Sequence, residues 1–226
     1  MIPMLNLLGV NKNSLTAGPG GERFEIFLKG CIRGLINPCP GCFNESSWTF
    51  AGESREISAE ELHSILLNEA HHRRFTVCGG EPMLQVKALL PLLRKLSKDG
   101  FHTTMYTAYD AEKLLKGGLA FTWREGMEEA MRERLMQYAV SYQVKADGSV
   151  VFRIATPEMM EELFSLIDLL VDGDYQPTKR LTQSDTMEEG WFVGSSNQRL
   201  IDTKTTAMLG RFVYDEPERI KEAMLK

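Results

Sequence analysis

The chain has 226 residues, of which 43% are hydrophobic and 25% charged, and a formal net charge of −5. That is ordinary globular composition for one full-sized domain, and it excludes disorder, collagen and coiled coil. The acidic balance excludes nucleic-acid binding by broad phosphate neutralisation. No apolar run reaches the roughly 18 residues of a membrane span, and the N-terminus has no signal-peptide pattern, so the expected location is the cytoplasm.

Residues 1–23, with Gly18, Gly20 and Gly21 around Pro19, are expected to form a loop. It leads into a first strand over 24–29 (FEIFLK), aromatic and β-branched. Ser58 and Glu61 form a capping box that opens a helix with Leu62, Ile65 and Leu66 on one face. Residues 75–77 are a short strand running into Gly79-Gly80. Residues 84–98 carry a helical stripe of Val86, Leu89, Leu90, Leu93 and Leu96, in which Pro91 predicts a kink or a later helix start. A strand over 103–106 follows, then a charged helix over 123–138 and a hairpin over 141–155 turning at Asp147-Gly148. Thr156-Pro157 starts a helix with Met159, Met160, Leu163, Phe164 and Ile167 on its apolar face. Residues 169–171 are a buried strand ending at Asp172-Gly173, 191–193 an apolar strand, and 216–226 a short charged helix.

This alternation is the βαβ grammar of a parallel sheet. Ligands collect at the carboxyl ends of such strands, so the cysteine loop, the Gly-Gly turn and residues 106–109 should converge in space. No repeat or linker divides the chain. It reads as a single domain over 1–226 with an elaboration at about 118–156.

Residues 30–44 read GCIRGLINPCPGCFN, with cysteines spaced C-x7-C-x2-C. In a reducing compartment clustered cysteines bind metal or do redox chemistry more often than they form disulfides. Three thiolates on one loop can hold three irons of a [4Fe–4S] cube and leave the fourth iron open, the mark of a reactive centre. The spacing alone also admits a structural zinc site, completed by Cys78, His63, His71, His72 or His102, or inert thiols. Cys78 by itself reads as a small core residue.

Residues 76–82 are TVCGGEP. Two glycines after a strand expose backbone groups and permit close approach by a ligand. Together with the cysteine loop, this segment resembles the radical S-adenosylmethionine (SAM) superfamily. The resemblance sharpens toward the activating proteins of anaerobic ribonucleoside-triphosphate reductase. It rests on residues 39–48 (CPGCFNESSW), 105–109 (MYTAY), 169–175 (LLVDGDY) and 194–199 (GSSNQR), in that order along the chain.

The resemblance implies an α/β fold, an incomplete (βα) barrel open on one side. It implies a [4Fe–4S] cluster on Cys31, Cys39 and Cys42 and SAM as cofactor. Gly41, Cys42 and Phe43 are expected to line the adenine of SAM, Gly79, Gly80 and Glu81 to meet its methionine end, and Thr107 either to reach its carboxylate or ribose or to cap the strand end with its hydroxyl. The implied partners are a glycyl-radical enzyme, first among them an anaerobic ribonucleotide reductase, and a reduced flavodoxin- or ferredoxin-type electron donor; no nucleic acid or membrane is implied. Activation of a different glycyl-radical enzyme, radical modification of a peptide or small molecule, and a non-enzymatic zinc or iron–sulfur protein are the alternatives. Two features depart from the family: its usual first spacing is C-x3-C, and its compact members lack the elaboration at 118–156.

Asp172 is expected to turn the chain. Ser195, Ser196, Asn197 and Gln198 either recognise a backbone or satisfy their own. Lys29 and Arg33 flank the cysteine loop and either steer an acidic partner or electron donor or are simply solvated, and residues 71–74 (HHRR) read as a basic patch at a helix end.

Overall fold

The computed structural model describes residues 3–42, 44–124, 126–181 and 192–215. Its parallel core is β2 (Arg23–Leu28), β4 (Arg74–Gly79), β5 (His102–Tyr106) and β9 (Leu169–Asp172), each parallel to the next. Helices α2 (Ala59–Glu69), α3 (Val86–Lys98) and α6 (Pro157–Leu166) make the crossovers. Antiparallel strands β1 (Leu5–Ser14), β3 (Arg55–Ile57) and β10 (Arg199–Asp202) extend the sheet to the order β10-β9-β5-β4-β2-β1-β3. The result is a mixed α/β fold around a largely parallel sheet. No helix among the described residues is long and apolar enough to cross a membrane.

Strand alternation divides the side chains between two faces. Phe24, Ile26, Leu28, Phe75, Val77 and Met105 face the helices and are fully buried there with Leu89, Leu93 and Leu96 of α3. The other face carries Arg23, Thr76, Thr104 and Cys78. Arg23 is buried without a carboxylate partner among the described residues. Its guanidinium instead donates to Thr76 Oγ1, Pro19 O, Phe75 O and Thr104 Oγ1 at 2.7–3.0 Å. Burial lowers it to about 10, so it stays charged at neutral pH.

The capping box forms as expected, with Ser58 Oγ accepting Glu61 N–H at 3.0 Å. Helix α3 runs through Pro91 instead of restarting there, after a 3-10 turn over Pro82–Gln85. The lost hydrogen bond and ring clash cost about 3 kcal/mol. Burying Leu89, Leu90, Leu92, Leu93 and Leu96 contributes about 1.5–3 kcal/mol apiece and outweighs it.

Three expectations are corrected. Residues 5–14, expected within a loop, form β1; its outer half is exposed and polar, so the alternation that marks a strand is missing. Trp123 ends β6 (Leu119–Trp123) by pairing with Val150, and the charged helix α5 begins only at Glu129 (Glu129–Tyr138). The basic residues 71–74 do not cap α2, because the chain leaves the helix at Ala70. Arg73 stacks over Phe101 at 5.0 Å and Arg74 Nε donates to Glu22 O. The helix expected over 216–226 lies outside the described residues, as does Trp191 of the strand expected over 191–193; Phe192 and Val193 are irregular.

The elaboration is a second sheet, β6-β8-β7, made of β6 and the hairpin β7 (Ser141–Val144) and β8 (Val150–Ala155), with α5 packed on it. Phe152, Ile154, Met131 and Leu135 join the main core cluster without a break. Tyr138 OH donates to Met4 O at 2.8 Å, and its ring meets Phe50 at 5.6 Å. Phe152 is fully buried between Phe121 and Tyr142. Phe152→Ala is expected to cost about 3–5 kcal/mol. Urea unfolding followed by circular dichroism and tryptophan fluorescence should still show one transition. Two separated transitions would mean that the second sheet unfolds on its own.

Candidate active site

The carboxyl ends of β2, β4, β5 and β9 meet at one edge of the sheet, as the βαβ order requires. The junction is built from backbone. Gly80 N donates to Leu28 O and Glu81 N to Gly30 O, both at 2.7 Å. A Cβ on Gly79, at φ +108°, would lie 2.2 Å from Leu28 N, and one on Gly80 would lie 2.5 Å from Gly30 O. These glycines are therefore required by the neighbouring strand end, not only by a ligand. Gly30 and Gly34 are packed likewise: added Cβ atoms would sit 2.2 Å from the Phe50 ring and 2.3 Å from Trp48. Trp48 and Phe50 are contacts that no local pattern announces.

Glu81 lies at the centre of this junction and is buried. Its Oε1 accepts from Met83 N at 3.0 Å and from Thr107 Oγ1 at 2.8 Å, and its Oε2 accepts from Ala108 N at 3.0 Å. Burial raises its pKa to about 7, against the opposing pull of those three donors. Thr107, also buried, accepts Tyr109 N–H in turn. Both side chains, expected to face SAM, are thus engaged with the chain itself and tie β4 to β5. Gly79 and Gly80, by contrast, are half-buried at this corner.

The cysteine loop leaves β2 through Gly30. Cys31 is buried and caps the short helix α1 (Ile32–Ile36), its Sγ accepting Gly34 N–H at 3.2 Å. Burial first, then Glu81, pushes its thiol up to about 12, so thiolate chemistry at neutral pH requires a metal to displace the proton. Cys39 and Cys42 are half-buried and joined by a Cys42 N–Cys39 O hydrogen bond at 3.1 Å, and all four cysteines are free thiols. Gly41 is exposed at φ +71°. Phe43 lies outside the described residues.

Among the described residues no three His, Cys, Asp or Glu side chains converge as ligands of a single ion. A cubane cluster does not ask for that convergence, since each thiolate binds a different iron. Cys78 does not supply a fourth ligand. It lies on the second sheet face, donating to Glu25 Oε1 at 3.1 Å, and burial holds its thiol well above the ordinary range. Three thiols on one loop and no fourth fit a [4Fe–4S] cluster with one open iron.

The flanking cations have other duties than steering a partner. Lys29 is buried, and its Nζ donates to Ala51 O and Glu53 O. Arg33 pairs with Asp174 at 2.6 Å. Burial lowers its pKa, but contacts with Cys39 and Asp174 outweigh that and hold it above the ordinary guanidinium value. Asp172 is buried, accepts Ala111 N at 2.8 Å and pairs with Arg199, a structural tie as well as the expected turn. In the 194–198 segment Gln198 Oε1 accepts Gly194 N and Ser195 N, and Ser195 Oγ accepts Gln176 N. Gln198 and Ser195 therefore serve nearby backbone, while Asn197 Oδ1 is buried with no hydrogen-bond partner among the described residues.

A family model described as a 4Fe-4S single cluster domain matches residues 16–201. The pyruvate formate-lyase-activating enzyme of Staphylococcus epidermidis (strain ATCC 12228 / FDA PCI 1200) is 32% identical over 108 residues, 46% of this chain and 41% of that protein. The enzyme of the same name from Staphylococcus aureus (strain USA300) is 33% identical over 96 residues, 40% of this chain and 36% of that protein. The chain thus matches about two fifths of the length of these curated relatives. Among solved structures, QueE from Escherichia coli aligns with a TM-score of 0.40 at 21% identity, over 46% of this chain and 53% of that one.

The Glu81 carboxyl gives a signed pH dependence. Its folded pKa lies above the unfolded value, so the folded state binds the extra proton between about pH 4.5 and 7, and stability falls as pH rises through that window. Urea midpoints of the metal-free chain at pH 5 and pH 8 should show wild type losing up to about 3 kcal/mol from this group. Glu81→Gln should lack that contribution while starting from lower stability at pH 5. An equal pH dependence in both proteins would show that Glu81 is ionised throughout.

Proposed function

We propose that this chain, which belongs to the 4Fe-4S single cluster domain family and through it to the radical SAM superfamily, is an activating enzyme for a glycyl-radical partner. A [4Fe–4S] cluster and SAM are the cofactors of that superfamily. When bound, they would supply a 5′-deoxyadenosyl radical, one electron from the reduced cluster breaking the sulfur–C5′ bond of SAM with release of methionine, and that radical would take a hydrogen atom from a backbone glycine to leave 5′-deoxyadenosine and a glycyl radical.

The observation that carries the proposal is the donor set: three free thiols on one loop at the carboxyl edge of a parallel sheet, with no fourth ligand among the described residues. Cys31, Cys39 and Cys42 hold the cluster. Gly41, Cys42 and Phe43 line the adenine, and the backbone of Gly79 and Gly80 meets the methionine end. Glu81 and Thr107 act from behind, holding that backbone in place. The relatives' name, pyruvate formate-lyase-activating enzyme, supports a glycyl-radical partner. The 194–199 segment favours anaerobic ribonucleoside-triphosphate reductase among such partners, and a flavodoxin or ferredoxin is the expected electron donor. An incomplete (βα) barrel, open on one side, would admit a protein loop to the cluster.

The chain reconstituted anaerobically with iron and sulfide, reduced and given SAM, should form 5′-deoxyadenosine. Cys39→Ser should form less than about a hundredth as much. Mixed with the reductase or with pyruvate formate-lyase, it should raise a glycyl-radical EPR signal on the reductase. A signal on pyruvate formate-lyase alone would reassign the partner. A fully loaded, reducible cluster that cleaves no SAM with either partner present would overturn the enzymatic proposal.

A further inference from the structure

The cysteine loop is anchored at a distance. Arg33 lies in the C-x7-C interval, the stretch longer than the C-x3-C spacing usual in the family it resembles. Its guanidinium reaches Asp174, 141 residues away, at 2.6 Å. Asp174 follows β9 and is itself held: Asn197 Nδ2 donates to Asp174 O at 2.7 Å, and Gln198 Nε2 donates to Gly173 O at 2.9 Å. Gly173 N donates to Tyr109 O after β5. A continuous polar chain thus runs from the 194–198 turn through the 173–174 corner to Arg33, and ends on the loop that carries the cysteines.

Arg33 also has capacity to spare. It pairs with Asp174 and stands two residues after Cys31, where its charge acts on the Cys39 and Cys31 thiols. Its Nε is buried and has no hydrogen-bond partner among the described residues. A buried donor left unpaired costs about 1–3 kcal/mol, so a donor kept in that state beside the thiols calls for an acceptor in the loaded protein.

We infer that Arg33 is a positioning residue that anchors the cysteine loop to the end of β9 and places its positive charge against the iron–sulfur cluster, with Asp174 setting how much of that charge the cluster feels. Reduction adds one negative charge to a centre already surrounded by thiolates. Hydrogen bonds and net charge around a cluster set its potential. The guanidinium favours the reduced state, and the Asp174 carboxylate works against it. The inference rests on the [4Fe–4S] assignment for its electrostatic half and on the metal-free fold alone for its anchoring half.

The two halves are tested separately. In hydrogen–deuterium exchange of the metal-free chain, Arg33→Gln and Asp174→Asn should each speed exchange of residues 32–42 about fivefold, the equivalent of about 1 kcal/mol for a partly exposed ion pair. Arg33→Lys should restore most of the protection. In redox titration of the reconstituted cluster followed by EPR, Arg33→Gln should shift the midpoint potential more negative and Asp174→Asn more positive, with Arg33→Lys near wild type. Opposite shifts are the signature of charge, because two merely loosened loops would move the potential the same way. Unchanged exchange in both variants overturns the anchor. Equal potentials, or shifts of one sign, overturn the electrostatic role. A chain that takes up no cluster would defeat the cofactor assignment and still leave the anchor to be decided by exchange.

Discussion

The buried carboxyl of Glu81 is the interaction on which the candidate site depends. One residue joins three strand ends: its N–H reaches Gly30 after β2, and its carboxyl oxygens reach Thr107 and Ala108 after β5. Burial alone would leave such a group neutral; two backbone donors and a hydroxyl draw its pKa back to about 7. The glycines on either side make the approach possible. With side chains at 79 or 80 the ends of β2 and β4 could not close to hydrogen-bonding distance, and the cysteine loop would start from a different place.

From this junction the loop is held on both sides. Trp48 and Phe50 fill the spaces beside Gly34 and Gly30, where side chains would otherwise stand. Gln85, fully buried, accepts Asn6 N–H and donates to Asn6 O and Lys29 O, fixing β1 to the end of β2. On the other flank Asp172 and Asp174 receive Arg199 and Arg33. The thiols themselves are left half-buried at positions 39 and 42, on a loop whose freedom Pro38 and Pro40 limit. A rigid frame around a ligand loop with few internal hydrogen bonds suits a cluster, which supplies the missing cross-links when it binds.

Much of this was legible before any coordinates. The strand–helix alternation put the cysteine loop and the Gly-Gly-Glu turn at the carboxyl ends of a parallel sheet, and the 16–201 family match agrees with the radical SAM resemblance. The capping box at Ser58 and the hairpin at Asp147-Gly148 formed where local chemistry demanded them. Strand β1 was not legible, because its exposed half carries no alternation. Strand β10 was hidden too: Leu200 and Ile201 make too short an apolar run to stand out. For Lys29, Arg33 and Thr107 the sequence leaves two readings open, a role toward a ligand or partner and an ordinary solvated or strand-capping one, for one reason. A polar side chain beside a motif looks available until its partner, tens of residues away in sequence, is seen.

What the sequence determined by itself is the placement: which thiols share a loop, which turn ends the neighbouring strand, and the parallel order that brings both to one edge of the sheet. These follow from short spacings and local periodicity. The tertiary structure alone decided which polar groups remain for ligands. Glu81, Thr107 and Gln198 are engaged with the chain, while Arg33 Nε and Asn197 Oδ1 keep unfilled capacity among the described residues. Hydrogen-bonding capacity is filled by whatever atoms packing brings within about 3 Å, and the partners that local sequence hides, those of Thr107, Gln198 Nε2 and Arg33, lie 25 to 141 residues away along the chain.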